Sequence, residues 1–330
     1  MKATEKVEIS HRTIMFTVFF LLSMAFLYHI RDLILQLFVA LLIMSILSPL
    51  VDLVEKLKIP RSIAVAISYL MVIGVLVFSI ANISKPLIEQ STNFVNGLPV
   101  YIETLGLETR FGENVIEDFL TQIGVVPAHF AQFALSIFSN ALEVLTVLIF
   151  AFYMLVSRHG LGSQVGSLFG KSRKEKATTI FNKLENKLGS WARGQLLLMF
   201  MVGMSTYIGL VLLGVPFALP LAILAGLLEV VPLIGPIIAA VPSVIIGMGI
   251  SPVIGIATIA LAFLIQQVEN YIFIPSIMKK AVGMSSLLIL LSLAIGFRLF
   301  GIIGAIVSIP AVLTMQILIE ESSYFSKKLS

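Results

Sequence analysis

The chain has no cysteine among its 330 residues, which excludes disulfides, thiolate metal sites and a cysteine nucleophile. It is equally short of charge. Asp, Glu, Lys and Arg make up 12 % of it, about half the ~25 % of an ordinary soluble domain, too little to cover a water-facing fold. Catalytic signatures are missing too: there is no HExxH pair, no GxSxG serine and no phosphate-binding P-loop. The chain is therefore not expected to be an enzyme, nor to need a cofactor or metal. Without nucleotide hydrolysis, any transport would have to be gradient-driven or passive. The net charge of +4 is small, and no nucleic-acid partner is expected.

What is present is apolar sequence. Apolar residues make up 58 % of the chain and the mean hydropathy is +1.05, which places it in the lipid bilayer. Runs long enough to span lie at 13–30, 33–51, 62–83, 136–157, 195–214 and 253–274, each near the ~20 residues of a membrane helix. Barrel strands would instead alternate over about ten residues. The expected fold is an all-α polytopic membrane protein. The polar start, MKATEKVEISHR, lacks a cleavage site after its apolar run, so the first helix is expected to be a retained anchor.

Polar segments fix an expected orientation. Ser84 to about Ala131 carries Glu89, Glu103, Glu108, Glu113, Glu117 and Asp118 against Lys85 and Arg110, whereas Arg158–Arg193 carries eight basic residues against Glu175 and Glu185. Excess lysine and arginine marks the cytoplasmic side. If every run spans once, Lys2, Lys6, Arg12, Lys56, Lys58, Arg61, segment 158–193, Lys279, Lys280, Lys327 and Lys328 share that side. Both termini are then cytoplasmic in a multi-pass cell-membrane protein. The expected organisation is a tail with three spans over 1–83, an extracytoplasmic segment over 84–135, a fourth span over 136–157, a basic cytoplasmic segment over 158–193 and a transport core over 194–330. Within the basic segment, Ala177, Ile180, Phe181, Leu184, Leu188 and Trp191 follow helical spacing. They predict an amphipathic helix, read either as a hinge between modules or as a surface anchor.

Two charge-poor stretches dominate the core. Val215–Ile250 holds only Glu229 and Val282–Ile319 holds only Arg298. Each charge lies six residues before a glycine, Gly235 or Gly304, with Pro242 or Pro310 beyond. Broken near Val231–Pro236 and Phe300–Gly304, each stretch gives arms of about fifteen residues, or roughly 22 Å, short of a ~30 Å hydrocarbon core. Such arms suggest re-entrant hairpins, and each follows one full-length helix. A repeated unit of crossing plus hairpin predicts an inverted repeat with tips meeting near the midplane.

The core's residues resemble the autoinducer-2 exporter family of membrane permeases. The resemblance runs through Trp191-Ala-Arg193-Gly194-Gln195, Leu213-Gly214-Val215-Pro216-Phe217-Ala218 and Val231-Pro232-Leu-Ile-Gly235-Pro236 with Pro242. It continues in Gln266, Glu269-Asn270, Pro275, Ala281-Val282-Gly283 and Phe300-Gly301-Ile-Ile-Gly304 with Pro310. It covers about 190–312; the first half matches only in helix layout, and Leu233 stands where many members have an aromatic residue. The resemblance implies a multi-helix, homo-oligomeric transporter, with a pentamer as the suggested assembly, and a mobile core built from the hairpins. It associates members with autoinducer-2 export and others with sodium/proton antiport.

A charge at the centre of a membrane helix costs about 2.5–3.5 kcal/mol on insertion scales, so Glu229 and Arg298 are expected to face each other or a shared aqueous cavity. They could contact a polar solute, Glu229 could bind H+ or Na+, or the two could form a structural ion pair. Gln266, Glu269 and Asn270, at i, i+3 and i+4, could line a solute or ion path or act as interhelical glue. Gln195 joins this pathway set, while Pro232, Gly235, Pro236, Gly301 and Gly304 form the expected tips. Arg193, Gly194, Pro216, Pro242, Pro275 and Pro310 are the expected hinges or gates. The leading expectation is a secondary transporter exporting a small polar organic solute, autoinducer-2 among the candidates, by alternating access. The alternatives are a sodium/proton antiporter and, in another class, a non-transporting scaffold or channel.

Overall fold

The structure, a computed structural model, describes residues 11–105, 141–168, 174–232, 234–278 and 286–328. Most of the acidic segment 84–135, Lys2, Lys6, Leu233, Lys279, Lys280 and Ala281–Gly283 lie outside the described residues. Among those described there is no strand, and the chain is an all-α polytopic protein. In order it forms α1 (His11–His29), α2 (Arg31–Glu55), α3 (Arg61–Thr104), α4 (Ala141–Val156), α5 (Arg158–Leu168) and α6 (Lys174–Leu212). Then follow α7 (Ala218–Leu228), α8 (Ile234–Ile250), α9 (Pro252–Val268), a π-helical turn (Glu269–Phe273), α10 (Ile274–Ile277) and α11 (Ser286–Lys328). Five of the described stretches, within 31–55, 61–104, 174–212, 252–277 and 303–321, are long and apolar enough to cross a membrane.

Two helices are longer than the sequence suggests. The apolar run of α3 fades at Ser84, yet the helix continues through Pro86 and Pro99 to Thr104. At ~1.5 Å per residue its 44 residues extend about 66 Å, roughly twice the hydrocarbon thickness. The second half persists because Phe94, Leu98 and Ile102, at i, i+4 and i+8, are buried against Leu210, Val215, Ala218, Leu221 and Ile246. Tertiary packing of an apolar face outweighs two prolines and a polar composition. Likewise α6 merges the amphipathic stretch and the fifth span into one helix of 39 residues.

That merger makes α6 the pillar of the molecule. Phe181 packs on the cluster of Met44, Val51, Ala64, Val65 and Leu155 from α2, α3 and α4. Leu188, Trp191, Ala192 and Leu198 join Met278, Leu293, Ala305, Ile309 and Leu313. Leu210, near its end, joins the α3–α7–α8 cluster. The helix then stops by a glycine cap: Gly214 takes φ +67°, and the Val215 amide donates to the Leu210 carbonyl at 2.9 Å, the six-to-one bond of a Schellman motif. Pro216 prevents resumption, and Phe217 opens α7 from the left-handed region at φ 60°.

Hairpin α7–α8 packs along α6 through glycines. A Cβ built on Gly226 would sit 2.7 Å from the Met199 carbonyl oxygen, with Gly203 directly opposite. Gly226→Val should force α6 and α7 apart at a cost of about 1–3 kcal/mol, seen as a lowered unfolding midpoint in detergent. Gly74→Val, where a Cβ would meet nothing within 4 Å, is the control; an equal loss there would defeat the packing argument.

The second broken stretch is two arms joined at a sharp kink. Phe300 (φ −137°, ψ 20°) and Gly301 (φ 62°, ψ −144°) leave helical geometry inside α11, and Gly301 does so in a region only glycine occupies without strain. The arms then meet with Gly304 against the Gly296 carbonyl. In α7–α8 the equivalent contact is Gly235 against the Leu228 carbonyl. The arms are unequal, however. α7 has 11 residues and α8 has 17, whereas the second arm of α11 provides a 19-residue candidate span at Ile303–Glu321.

Candidate functional site

Glu229 sits at the C-cap of α7 and is 1 % exposed. Its turn is tight: the Val230 and Val231 amides donate to the Leu227 and Leu228 carbonyls at 3.1 and 3.0 Å, and the Gly235 amide donates to the Val231 carbonyl at 2.9 Å. Gln195 of α6, also buried, donates through Nε2 to the Glu229 carbonyl at 2.7 Å. Gln195 thus fastens the hairpin tip by its backbone and leaves the Glu229 carboxyl free for other work. Facing that carboxyl is Glu269, likewise 1 % exposed, within hydrogen-bonding reach. Gln266 donates through Nε2 to Glu269 Oε2 at 3.2 Å. One oxygen of the group, Glu229 Oε2, is buried with no protein partner.

The backbone around Glu269 accounts for its direction. The Ile274 amide reaches back five residues to the Glu269 carbonyl, the pattern of a π-helical turn, which recurs at functional sites. Pro275 follows, with no amide to give. The local change in pitch separates neighbours that a regular helix would hold on one face: Glu269 is buried, Gln266 half-buried, and Asn270 exposed. Asn270 therefore lies outside the group it was expected to join.

Arg298 departs further from expectation. It is exposed on the first arm of α11, and among the described residues no ion pair joins it to Glu229. The arm packs on α6 and not along α7 or α8. Glu229 instead meets a second acid, a partnership that no spacing in the sequence shows, because 40 residues separate the two and their helices are brought together by packing on α6 and α8.

A cleft of about 40 Å³ runs from Glu269 and Gln266 between α6, α7, α8 and α9, past Ala239, Ala262 and Thr258. By the ~10–15 Å³ that one probe-sized water needs, it holds two to four waters. Of the expected tip and hinge residues, Pro236 lines this cleft, Pro242 is buried within α8 and Gly235 closes the tip, while Pro232 is half-buried in the turn and Pro310 buried in α11. Gly194 lies against Met278. Arg193 donates through Nη1 to the Ser45 carbonyl at 2.6 Å, tying α6 to α2.

Sequence reasoning missed a second polar cluster, at the other end of α2. Arg158 donates to Asp52 at 2.7 Å and pairs with Glu185 at 2.5 Å. Ser48 donates to the same Glu185 at 2.7 Å. Arg61 pairs with Glu55 at 2.6 Å and donates to the Leu155 carbonyl at 2.8 Å. Burial disfavours the Arg158 charge, but hydrogen bonds and charge from Glu185 and Asp52 outweigh it and hold its pKa above the ordinary value. These residues read in sequence only as positive and negative counts; the one hint was Asp52 and Glu55, nine and six residues before Arg61.

The sequence profile of the AI-2E family transporters matches residues 14–323. The chain is 28 % identical over 306 residues to "Putative transport protein YueF" of Bacillus subtilis strain 168, covering 86 % of this chain and 83 % of that one. It is 26 % identical to YrrI of the same organism over 319 residues, 91 % and 90 % of the two chains. It is 27 % identical to YhhT of Escherichia coli K12 over 318 residues, 90 % and 86 %. With nearly its whole length matched, this multi-pass membrane protein belongs to the AI-2E transporter family.

Proposed function

We propose that the protein is a gradient-driven secondary transporter that binds and exchanges a cation, H+ or Na+, at the Glu229–Glu269 pair. The observation that carries this reading is the meeting of two buried carboxyls with one oxygen unpartnered. Two acids brought together in an apolar setting need a proton or a cation between them to offset their repulsion and desolvation. Among the described residues no lysine, arginine or histidine lines the adjoining cleft, which supports a counter-charge supplied by a bound cation or proton. In this conformation the cleft has room for a few waters or a small ion. The acidic pair moves sodium/proton antiport ahead of organic-solute export.

Export of a small polar solute such as autoinducer-2, coupled to that cation, is the second reading. It draws on the two glycine-kinked hairpins, whose matching glycine-on-carbonyl contacts support an inverted repeat and an alternating movement that would widen the cleft. In this reading the Lys56–Arg61 end and both termini face the cytoplasm.

The test is flux in proteoliposomes of the whole chain. Under an imposed pH gradient, sodium entry should collapse the gradient, read by an internal pH dye and by radioactive sodium. A parallel arm follows labelled autoinducer-2. Solute movement indifferent to sodium and pH would overturn the cation reading.

A further inference from the structure

The cleft beside the acidic pair has a polar lining of its own, Thr206, Ser243, Thr258 and Gln266, and each of these side chains carries an oxygen able to accept. Thr258 is 2 % exposed and donates its hydroxyl hydrogen to the Ile254 carbonyl, on its own helix, at 2.8 Å. Ser243 of α8, 5 % exposed, turns its hydroxyl back toward the Ala239 carbonyl at 3.5 Å. A hydroxyl carries one hydrogen and two lone pairs. Thr258 commits its hydrogen within the helix and offers the cleft lone pairs, whereas the 3.5 Å contact of Ser243 is too long to hold its hydrogen, so that hydroxyl is able to rotate and present its lone pairs. Gln266 gives an amide hydrogen to Glu269, which leaves its amide oxygen available. Glu269 adds its carboxyl to the lining, and the Glu229 carboxyl, which is not part of the lining, is within hydrogen-bonding reach of Glu269.

These groups are in register. Thr258, Ala262, Ile265, Gln266 and Glu269 all line the cleft from α9, at i, i+4, i+7, i+8 and i+11 on one face. Thr258 and Glu269 are then separated by about 16 Å along the helix. Small side chains, Ala225, Ala239 and Ala262, leave the space open beside them. Waters held by such oxygens would also relay a proton, so it is direct ligation by the oxygens that distinguishes the two ions. A small alkali cation needs that ligation, because hard cations shed water only onto oxygen ligands.

We propose that Thr258 and Ser243 form a second cation position, a hydroxyl-lined station where an alkali cation of sodium's size exchanges water for protein oxygens before reaching Glu229 and Glu269. The inference rests on the cation reading above and narrows it from any cation to one that coordinates oxygen. Both residues are specificity-determining for sodium, and neither carries a charge.

The test is sodium-dependent flux in proteoliposomes, titrated with sodium chloride at fixed pH gradient. Thr258→Val, equal in shape, and Ser243→Ala should each raise the half-saturating sodium concentration about tenfold, the scale of one lost contact to a charged group, with the maximal rate less affected. Thr258→Ser keeps the hydroxyl and should restore wild-type dependence, which separates ligation from packing in case the valine disturbs the α8–α9 crossing. An unchanged sodium dependence in the Thr258→Val/Ser243→Ala double variant, with Glu269→Gln inactive, would overturn this station and leave the acidic pair standing. Full flux in Glu269→Gln and Glu229→Gln would overturn the pair itself. A protein that moves protons but shows no sodium dependence at all also overturns the station.

Discussion

Replacing either member of the acidic pair, Glu229→Gln or Glu269→Gln, is expected to reduce cation-coupled flux at least a hundredfold while leaving the fold intact. Glutamine keeps the length and planar shape of glutamate, so the 1 % exposed sites stay filled, and an amide can donate to the remaining carboxyl. The Gln195 bond survives as well, because it goes to the Glu229 backbone. What is lost is the charge that draws the cation and the acceptor oxygen that holds it. Both side chains act on one ion, so the double variant should be no worse than either single one; residues that work as a unit are strongly non-additive. Unfolding midpoints should stay level or rise, since two buried acids cost desolvation that amides largely avoid. Arg298→Gln, by contrast, changes an exposed side chain with no ion pair to Glu229 and should leave flux within about twofold. The measurement is initial-rate flux with equal amounts of reconstituted protein. Wild-type rates in Glu229→Gln would remove the coupling role and leave a structural contact.

Much of this architecture can be read from residue order, because the membrane constrains so much. The helix pair α1–α2, the end of α6 at Leu213-Gly214-Val215-Pro216 and the kink at Phe300–Gly301 follow from apolar run length, glycine's access to positive φ and proline's missing amide. The α9 start is equally local: Ser251 accepts from the Ile254 amide at 3.2 Å and Pro252 occupies the first turn. Glu229 and Glu269 stand out individually as intramembrane charges. Their pairing does not, since symmetry in the sequence sets Glu229 against Arg298, and only the packing of α7 and α9 on α6 and α8 shows which charges meet. The displacement of Asn270 is another such case. A regular helix keeps i and i+4 together, and nothing local announces a π-helical turn except Pro275 downstream. The length of α3 was hidden for the opposite reason, as its second half is stabilised by distant partners that outweigh a polar local composition.

Removing Arg158 should be the most destabilising single change among the described charged residues. Glu185 is 4 % exposed and is held by Arg158 and Ser48. Arg158→Met leaves it with one hydroxyl and the more distant charge of Arg193, and a buried charge stripped of its direct partner costs about 3–5 kcal/mol. Asp52→Asn removes a more exposed acid and leaves the Arg158–Glu185 contact intact, so its cost should be nearer 0.5–1 kcal/mol. The double variant Arg158→Met/Glu185→Met should regain most of the loss, since replacing both ions of a buried pair by apolar groups of similar volume is often neutral. Thermal unfolding in detergent tests the series. If Arg158→Met is no worse than Asp52→Asn, the cluster is a surface feature and not a clamp. The order also bears on transport. Arg158 joins α2 to α6 at one end while Gln195 joins α6 to the Glu229 tip, so the helix that fixes the acidic pair is itself fixed by this arginine. A destabilised Arg158→Met protein should therefore lose coupling, seen as cation leak without exchange, before it loses its helices.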